Sequence, residues 1–212
     1  MSKAKDTATV MEKLLGPELL TKKGKMTTKK ALEGKKMVGL YFSASWCPPC
    51  KTFSPVLGEF YEKNGKDQGL EIVFVSSDRD IPSFTDYFMK MPWTAIPMQN
   101  TASIKNNLAH MFKIQGIPTL VILDVSTGHF ITDNGRTDVM KDGSNSAMDK
   151  WKATEAVPVD QAVFGSGQTQ GGFMGLLLYF AKNPLYLIGT YYLITKLIKH
   201  LNQLGQEEEN EL

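Results

Sequence analysis

The chain has 212 residues, with 24 Lys and Arg against 22 Asp and Glu and a formal net charge of +2. That length accommodates one ordinary domain with extensions, and a hydrophobic content of 42% argues against wholesale disorder. The near-neutral balance gives no electrostatic case for nucleic acid. Two cysteines exclude a disulfide-dense scaffold and a four-cysteine zinc site.

Residues 1–160 read as a globular domain, 161–172 as a flexible linker, 173–201 as an apolar segment and 202–212 as an acidic end. Met1 to Lys13 is polar, with no apolar run of signal-peptide length, so a reducing cytosolic compartment is expected. Met37 to Ser43 is an apolar run of the kind a central strand shows when both its faces are covered. Next, Phe53, Val56, Leu57, Phe60 and Tyr61 recur at helical spacing, with Pro55 expected to kink that helix. Leu70 to Val75 predicts a second strand, Ile81 to Lys90 a helix, and Trp93 to Met98 a short extended piece. Ile104 to Phe112 predicts a helix, and Thr119 to Leu123 a third strand. A turn at Ser126 to Gly128 would let His129 to Thr132 pair antiparallel with that strand, and Met148 to Ala153 would close the domain as a helix. Such alternation, ending in a hairpin, predicts an α/β sandwich with a mixed central sheet.

The chemistry concentrates in Trp46-Cys47-Pro48-Pro49-Cys50, a C-x-x-C where the first strand runs into a helix. Free N–H groups and the positive end of the helix macrodipole stabilise a thiolate there. Cys47, at the helix start, is expected to be the more exposed, with a pKa below the free value of about 8.5. Cys50, one turn in, is placed to resolve a mixed disulfide formed at Cys47. Pro48 and Pro49 stiffen the first turn, where their missing donors have no partners anyway. A metal site would need further ligands, and His110, His129 and His200 stand at no ligand-like spacing, so no metal is expected. A two-residue structural disulfide loop adds little stability. The pair therefore reads as a catalytic dithiol.

Those residues, after Tyr41-Phe-Ser-Ala-Ser45, resemble the active site of the thioredoxin superfamily, in its nucleoredoxin and tryparedoxin branch. Ordinary thioredoxins carry Gly-Pro between the cysteines. Val73 to Arg79, Tyr87 to Trp93 and Gly116 to Asp124 are similar to the same branch, so the resemblance spans roughly Leu14 to Trp151. It implies a thioredoxin-like three-layer sandwich and a thiol–disulfide oxidoreductase. It also implies that Pro118 is a cis-proline facing the dithiol. A proline opening a strand cannot donate to the ladder, and Ile117 before it would offer backbone groups to an extended substrate. Trp46, Pro48, Pro49, Ile117 and Pro118 are thus the candidate substrate-binding residues beside the redox-active Cys47 and Cys50.

Three departures bear on mechanism. Tyr41 stands where thioredoxins bury a carboxylate, as in the branch this chain resembles. Ser77-Asp-Arg79 replaces the Trp-Asp-Glu of tryparedoxins, which removes an acid–arginine pair between position 79 and Arg136 and leans toward nucleoredoxins. Asp78 reads either as a proton relay or as a turn cap. Trp93 and Trp151 are expected in the core.

Phe173 to Thr195 holds 23 residues with one charge, Lys182, and as a helix would span a hydrocarbon core of about 30 Å. Lys182 at mid-span costs about 2.5–3.5 kcal/mol, and Pro184 would kink such a helix. Lys196, Lys199 and His200 form a basic flank, and Tyr186, Tyr191 and Tyr192 suit an interface. The segment resembles a tail anchor that would hold the catalytic domain on the cytosolic side of an intracellular membrane. Otherwise it lies on a membrane surface, packs on the domain or binds a partner.

Two enzyme readings follow: a nucleoredoxin-like reductase of protein disulfides, and a tryparedoxin-like carrier from a low-molecular-weight dithiol to a peroxidase. Both need an external thiol reductant. A different class is a redox-sensitive membrane adaptor acting mainly by partner binding. No nucleotide-binding glycine motif is present, so no bound flavin, nicotinamide or other cofactor is expected.

Overall fold

The computed structural model describes residues 10–142 and 146–165. The predicted apolar segment, the acidic end and most of the linker lie outside the described residues. Among the described residues no helix is long and apolar enough to cross a membrane.

After helix α1 (residues 10–15) the chain forms a hairpin of β1 (Glu18–Thr21) and β2 (Gly24–Thr27), then the short α2 (Thr28–Ala31). Gly24 opens β2 at φ +116°, a backbone region that side-chain-bearing residues avoid. The βα units follow: β3 (Met37–Ser43), α3 (Pro48–Phe60), β4 (Leu70–Ser76), α4 (Ile81–Phe88), β5 (Thr94–Ala95) and α5 (Met98–Met111). The hairpin β6 (Thr119–Asp124) and β7 (Phe130–Thr132) leads to α6 (Gly135–Asp142) and α7 (Ser146–Ala153). The strands make one mixed sheet in the order β2-β1-β5-β4-β3-β6-β7. β3 pairs parallel with β4 and antiparallel with β6.

Every residue of β3 and β4 is buried, as their near-continuous apolar runs require. Alternation sorts the side chains into two cores. Met37, Tyr41, Ile72, Phe74, Leu120 and Ile122 face a layer built with α3, α4 and α7. Val38, Leu40, Phe42, Val73, Val121 and Leu123 face a layer that includes Met11 of α1 and Leu108 of α5. This is the expected three-layer sandwich.

Several boundaries moved for identifiable reasons. The α3 helix buries Phe53, Leu57 and Phe60 but leaves Val56 exposed, so Val56 falls outside the apolar face assigned from spacing. It runs through Pro55 and passes into a π turn over Tyr61–Gly65. Asp80 caps α4 by accepting from the Ser83 amide at 2.8 Å, and the helix stops at Phe88 rather than Lys90. The α5 helix starts at Met98, six residues before the predicted Ile104. Pro97 sits at its N-cap position, and the Thr101 hydroxyl donates to the Pro97 carbonyl at 3.0 Å.

Buried Asp138 of α6 accepts from Trp151 Nε1 at 2.9 Å and from Lys150 Nζ at 2.6 Å, tying α6 to α7. The segment after α7 returns along the outer edge of β7. Phe130 and Val157 exchange both backbone hydrogen bonds, and Phe164 rests 4.9 Å from the Phe130 ring. An edge that would otherwise present unpaired backbone groups is thereby covered at this point.

Candidate active site at the end of the central strand

The central strand β3 delivers the chain to the N-terminus of α3, where Cys47 and Cys50 form a disulfide with Cα atoms 5.2 Å apart. Cys47 is the N-cap of α3. Its extended backbone (φ −91°, ψ 109°) turns Sγ onto the Cys50 amide, which donates to it at 3.3 Å. A sulfur in the N-cap acceptor position is held by a helical N–H and by the dipole, an arrangement that favours a thiolate once the bond is reduced. Pro48 and Pro49 occupy the first helical positions, where an N–H would lack an intrahelical acceptor.

Cys47 is 5% exposed and Cys50 fully buried, so the expected difference in exposure is small. The surface above them is instead made by Pro48, Pro49 and Trp46, the last 55% exposed. Trp46 is not adrift, because its indole N–H donates to the Ser77 carbonyl at 3.2 Å. Trp93 and Trp151 are buried in the core.

The loop before β6 supplies the opposite wall. The Ile117–Pro118 peptide is cis, and the Ile117 carbonyl oxygen lies 3.9 Å from Cys47 Sγ. The Thr119 hydroxyl donates to the Gly116 carbonyl at 2.7 Å and tightens this loop. Cys47, Cys50, Trp46, Pro48, Pro49, Ile117 and Pro118 therefore meet at one end of the sheet. Arg79 and Arg136 are both exposed, and among the described residues neither makes an ion pair. No group of three or more His, Cys, Asp or Glu able to hold a metal occurs among the described residues.

Beneath Cys50 lies a chain of hydroxyls instead of a carboxylate. Tyr41 Oη donates to the Cys50 carbonyl at 3.4 Å and shares a 2.8 Å hydrogen bond with Ser54 Oγ. Ser54 bonds Tyr87 Oη at 2.6 Å, and Tyr87 bonds Ser43 Oγ at 3.1 Å. Burial pushes the Tyr41 phenol well above its ordinary pKa, so it stays neutral and cannot serve as a base at physiological pH. A cleft of about 820 Å³ reaches Ser45, Ser54 and Tyr87, opening the chain of hydroxyls to water. The sheet does bury a carboxylate, Glu71, whose pKa burial raises despite Tyr61 Oη at 3.0 Å and Lys35 Nζ at 3.6 Å. It pairs across from Val38, at the far end of β3 from the dithiol. Sequence reasoning missed Ser43, Ser54 and Tyr87. No spacing marks them, since Tyr87 arrives from another helix.

Comparison with known proteins agrees with this fold. A family model described as thioredoxin-like matches residues 34–130. Zebrafish (Danio rerio) nucleoredoxin is 48% identical over 132 residues, 62% of this chain but 31% of that protein. The chain thus spans about a third of that relative's length. Tryparedoxin of Trypanosoma brucei brucei is 44% identical over 124 residues, covering 58% of this chain and 84% of the relative. The solved structure of tryparedoxin from Trypanosoma brucei superposes with a TM-score of 0.62 at 40% identity, covering 67% of this chain and 97% of that one. Another solved structure, tryparedoxin II complexed with glutathionylspermidine, gives a TM-score of 0.59 at 35% identity over 63% and 92% of the two chains. The chain belongs to the thioredoxin-like family of thiol–disulfide oxidoreductases that holds the tryparedoxins and nucleoredoxins, and its Cys47–Cys50 pair fits a C-x-x-C motif.

Proposed function

We propose that the protein reduces protein disulfides through Cys47 and Cys50. The observation that carries this reading is a disulfide at the N-terminus of α3 facing the Ile117–Pro118 loop. The Cys47 thiolate attacks one sulfur of the substrate disulfide and expels the other as a thiolate. Cys50, once deprotonated, then attacks Cys47 Sγ, closing the intramolecular disulfide and releasing the second substrate sulfur. Two electrons pass from dithiol to substrate, and an external thiol donor restores the reduced pair. Trp46, Pro48 and Pro49 form the rim of the substrate site, and the backbone at Ile117 pairs with an extended substrate segment.

A second reading is a carrier from a low-molecular-weight dithiol to a peroxidase. It draws support from coverage, since the chain spans 84% of a tryparedoxin but 31% of a nucleoredoxin. Arg79 in place of an acid weighs against it. Offering the oxidised protein NADPH with thioredoxin reductase, glutathione or trypanothione separates the two. Efficient reduction by the reductase system is expected, and reduction by trypanothione alone would replace the first reading with the second.

The apolar run Phe173 to Thr195 and its basic flank support a further element, attachment to an intracellular membrane with the catalytic domain in the cytosol. A chain ended before residue 173 is expected to move from the membrane to the soluble fraction of lysed cells. Unchanged sedimentation would sink this element. A membrane adaptor, by contrast, requires that cells depend on the tail and not on the cysteines.

A further inference from the structure

Asp78 lies just beyond β4 and is 7% exposed. Its Oδ1 accepts from the backbone N–H of Ser45 at 2.8 Å, and its Oδ2 accepts from Ser76 Oγ at 2.8 Å. Ser76 Oγ in turn accepts from the Asp78 amide at 2.9 Å, which fixes the carboxylate in one orientation. The neighbouring Ser77 makes two more ties: its amide donates to the Ser43 carbonyl at 2.9 Å, and its carbonyl receives the Trp46 indole. Ser77 and Asp78 thus grip Ser43, Ser45 and Trp46, the stretch of chain that ends in Cys47. Within that stretch the local support is slight, a Cys47 amide donating to the Ala44 carbonyl at 3.3 Å.

We propose that Asp78 is a positioning residue for the nucleophile. By holding the Ser45 amide it sets where α3 begins, and so keeps Cys47 Sγ on the Cys50 amide and beside the Ile117 carbonyl. Both carboxylate oxygens are engaged, Oδ1 by the Ser45 amide and Oδ2 by the Ser76 hydroxyl at the end of β4, which is the arrangement of a clamp and not of a proton carrier. The side chain suits the task because its two terminal atoms reach the Ser45 amide and the Ser76 hydroxyl at once. Loops at this junction carry no repetitive backbone ladder of their own, so a side chain must supply the rigidity that a reacting sulfur needs. The assignment rests on Cys47 being the attacking sulfur.

The test compares the parent with Asp78→Ala and Asp78→Asn, using insulin as the disulfide substrate and dithiothreitol as donor. Three quantities are read: kcat/KM, the pH midpoint of Cys47 alkylation by iodoacetamide, and acrylamide quenching of Trp46. With Trp93 and Trp151 buried, quenching reports on Trp46. Displacement of the nucleophile should lower kcat/KM of Asp78→Ala by about 10- to 100-fold. The same variant should raise the alkylation midpoint and make Trp46 more quenchable. Asp78→Asn keeps an acceptor for the Ser45 amide and should stay within about threefold of the parent, as conservative rescue of a geometric role requires. Should Asp78→Ala fail to fold, Ser76→Ala, which removes one support of the carboxylate, should show a smaller change in the same direction. A reactive parent with an unchanged Asp78→Ala, or with Ser76→Ala unchanged where that variant is the one read, overturns the assignment alone. So does an Asp78→Asn as impaired as Asp78→Ala, which would give the role to the charge. A parent in which Cys47 shows no thiolate reactivity overturns the functional reading and this assignment with it.

Discussion

Replacing Cys47 by serine is expected to reduce disulfide turnover to background, while Cys50→Ser retains the first attack and accumulates a mixed disulfide. The asymmetry follows from position. Cys47 Sγ is the N-cap acceptor of α3, so its thiolate gains a helical N–H and the positive end of the dipole. A serine hydroxyl there stays protonated and cannot displace a sulfur leaving group. Cys50 is fully buried and lies close enough to bond Cys47, but it has no access to an incoming substrate. Without its sulfur the adduct on Cys47 has no internal route to resolution. Turnover assays with excess reductant, together with non-reducing electrophoresis of the Cys50→Ser protein mixed with an oxidised substrate, measure both halves. Residual turnover by Cys47→Ser would reassign the nucleophile.

Phe74→Ala should be the most damaging of the single core truncations that bear on the site, lowering unfolding free energy by about 3–5 kcal/mol. Phe74 is fully buried on β4, stacked on Phe84 at 5.7 Å and edge-on to Tyr87 at the same distance. It also leans on Tyr41 at 6.2 Å. Removing the ring leaves a cavity beneath the two phenols that anchor the hydroxyl chain, so the loss combines lost burial with lost aromatic contacts. Against a typical total of about 5–15 kcal/mol this is a large share. Phe74→Leu, which keeps most of the volume, should cost about 1.5 kcal/mol or less. Denaturant unfolding of both variants checks the pair, and a Phe74→Ala loss below that of Phe74→Leu would contradict the packing account.

What could be read along the chain depended on how local its cause is. Strands β3, β4 and β6 were legible because a strand covered on both faces must be apolar at nearly every position. Met37–Ser43, Leu70–Ser76 and Thr119–Asp124 meet that condition. Cys47 and Cys50 were legible for the same reason, since a C-x-x-C between a strand and a helix is a local pattern. The β1–β2 hairpin was not. Its strands have four residues each, and Lys22, Lys23 and Lys25 interrupt any alternation. The first turns of α5 were hidden because Gln99, Asn100 and Ser103 present no apolar face, and α6 offers only Val139 as a well-buried apolar side chain.

The amino-acid order alone determined the class of fold, the redox pair and which cysteine opens the helix, because these follow from hydrophobic period and from a motif five residues long. Only the tertiary structure decided what surrounds that pair. Ser43 and Ser54 are joined through Tyr87 on another helix. Asp78 turns out to clasp Ser45 across 33 positions of sequence. Ile117 comes to stand against Cys47 across 70. Such contacts are made when β3, β4 and β6 pair side by side and bring their ends together. Hydrogen bonds between distant residues carry no period or spacing that a linear reading can detect.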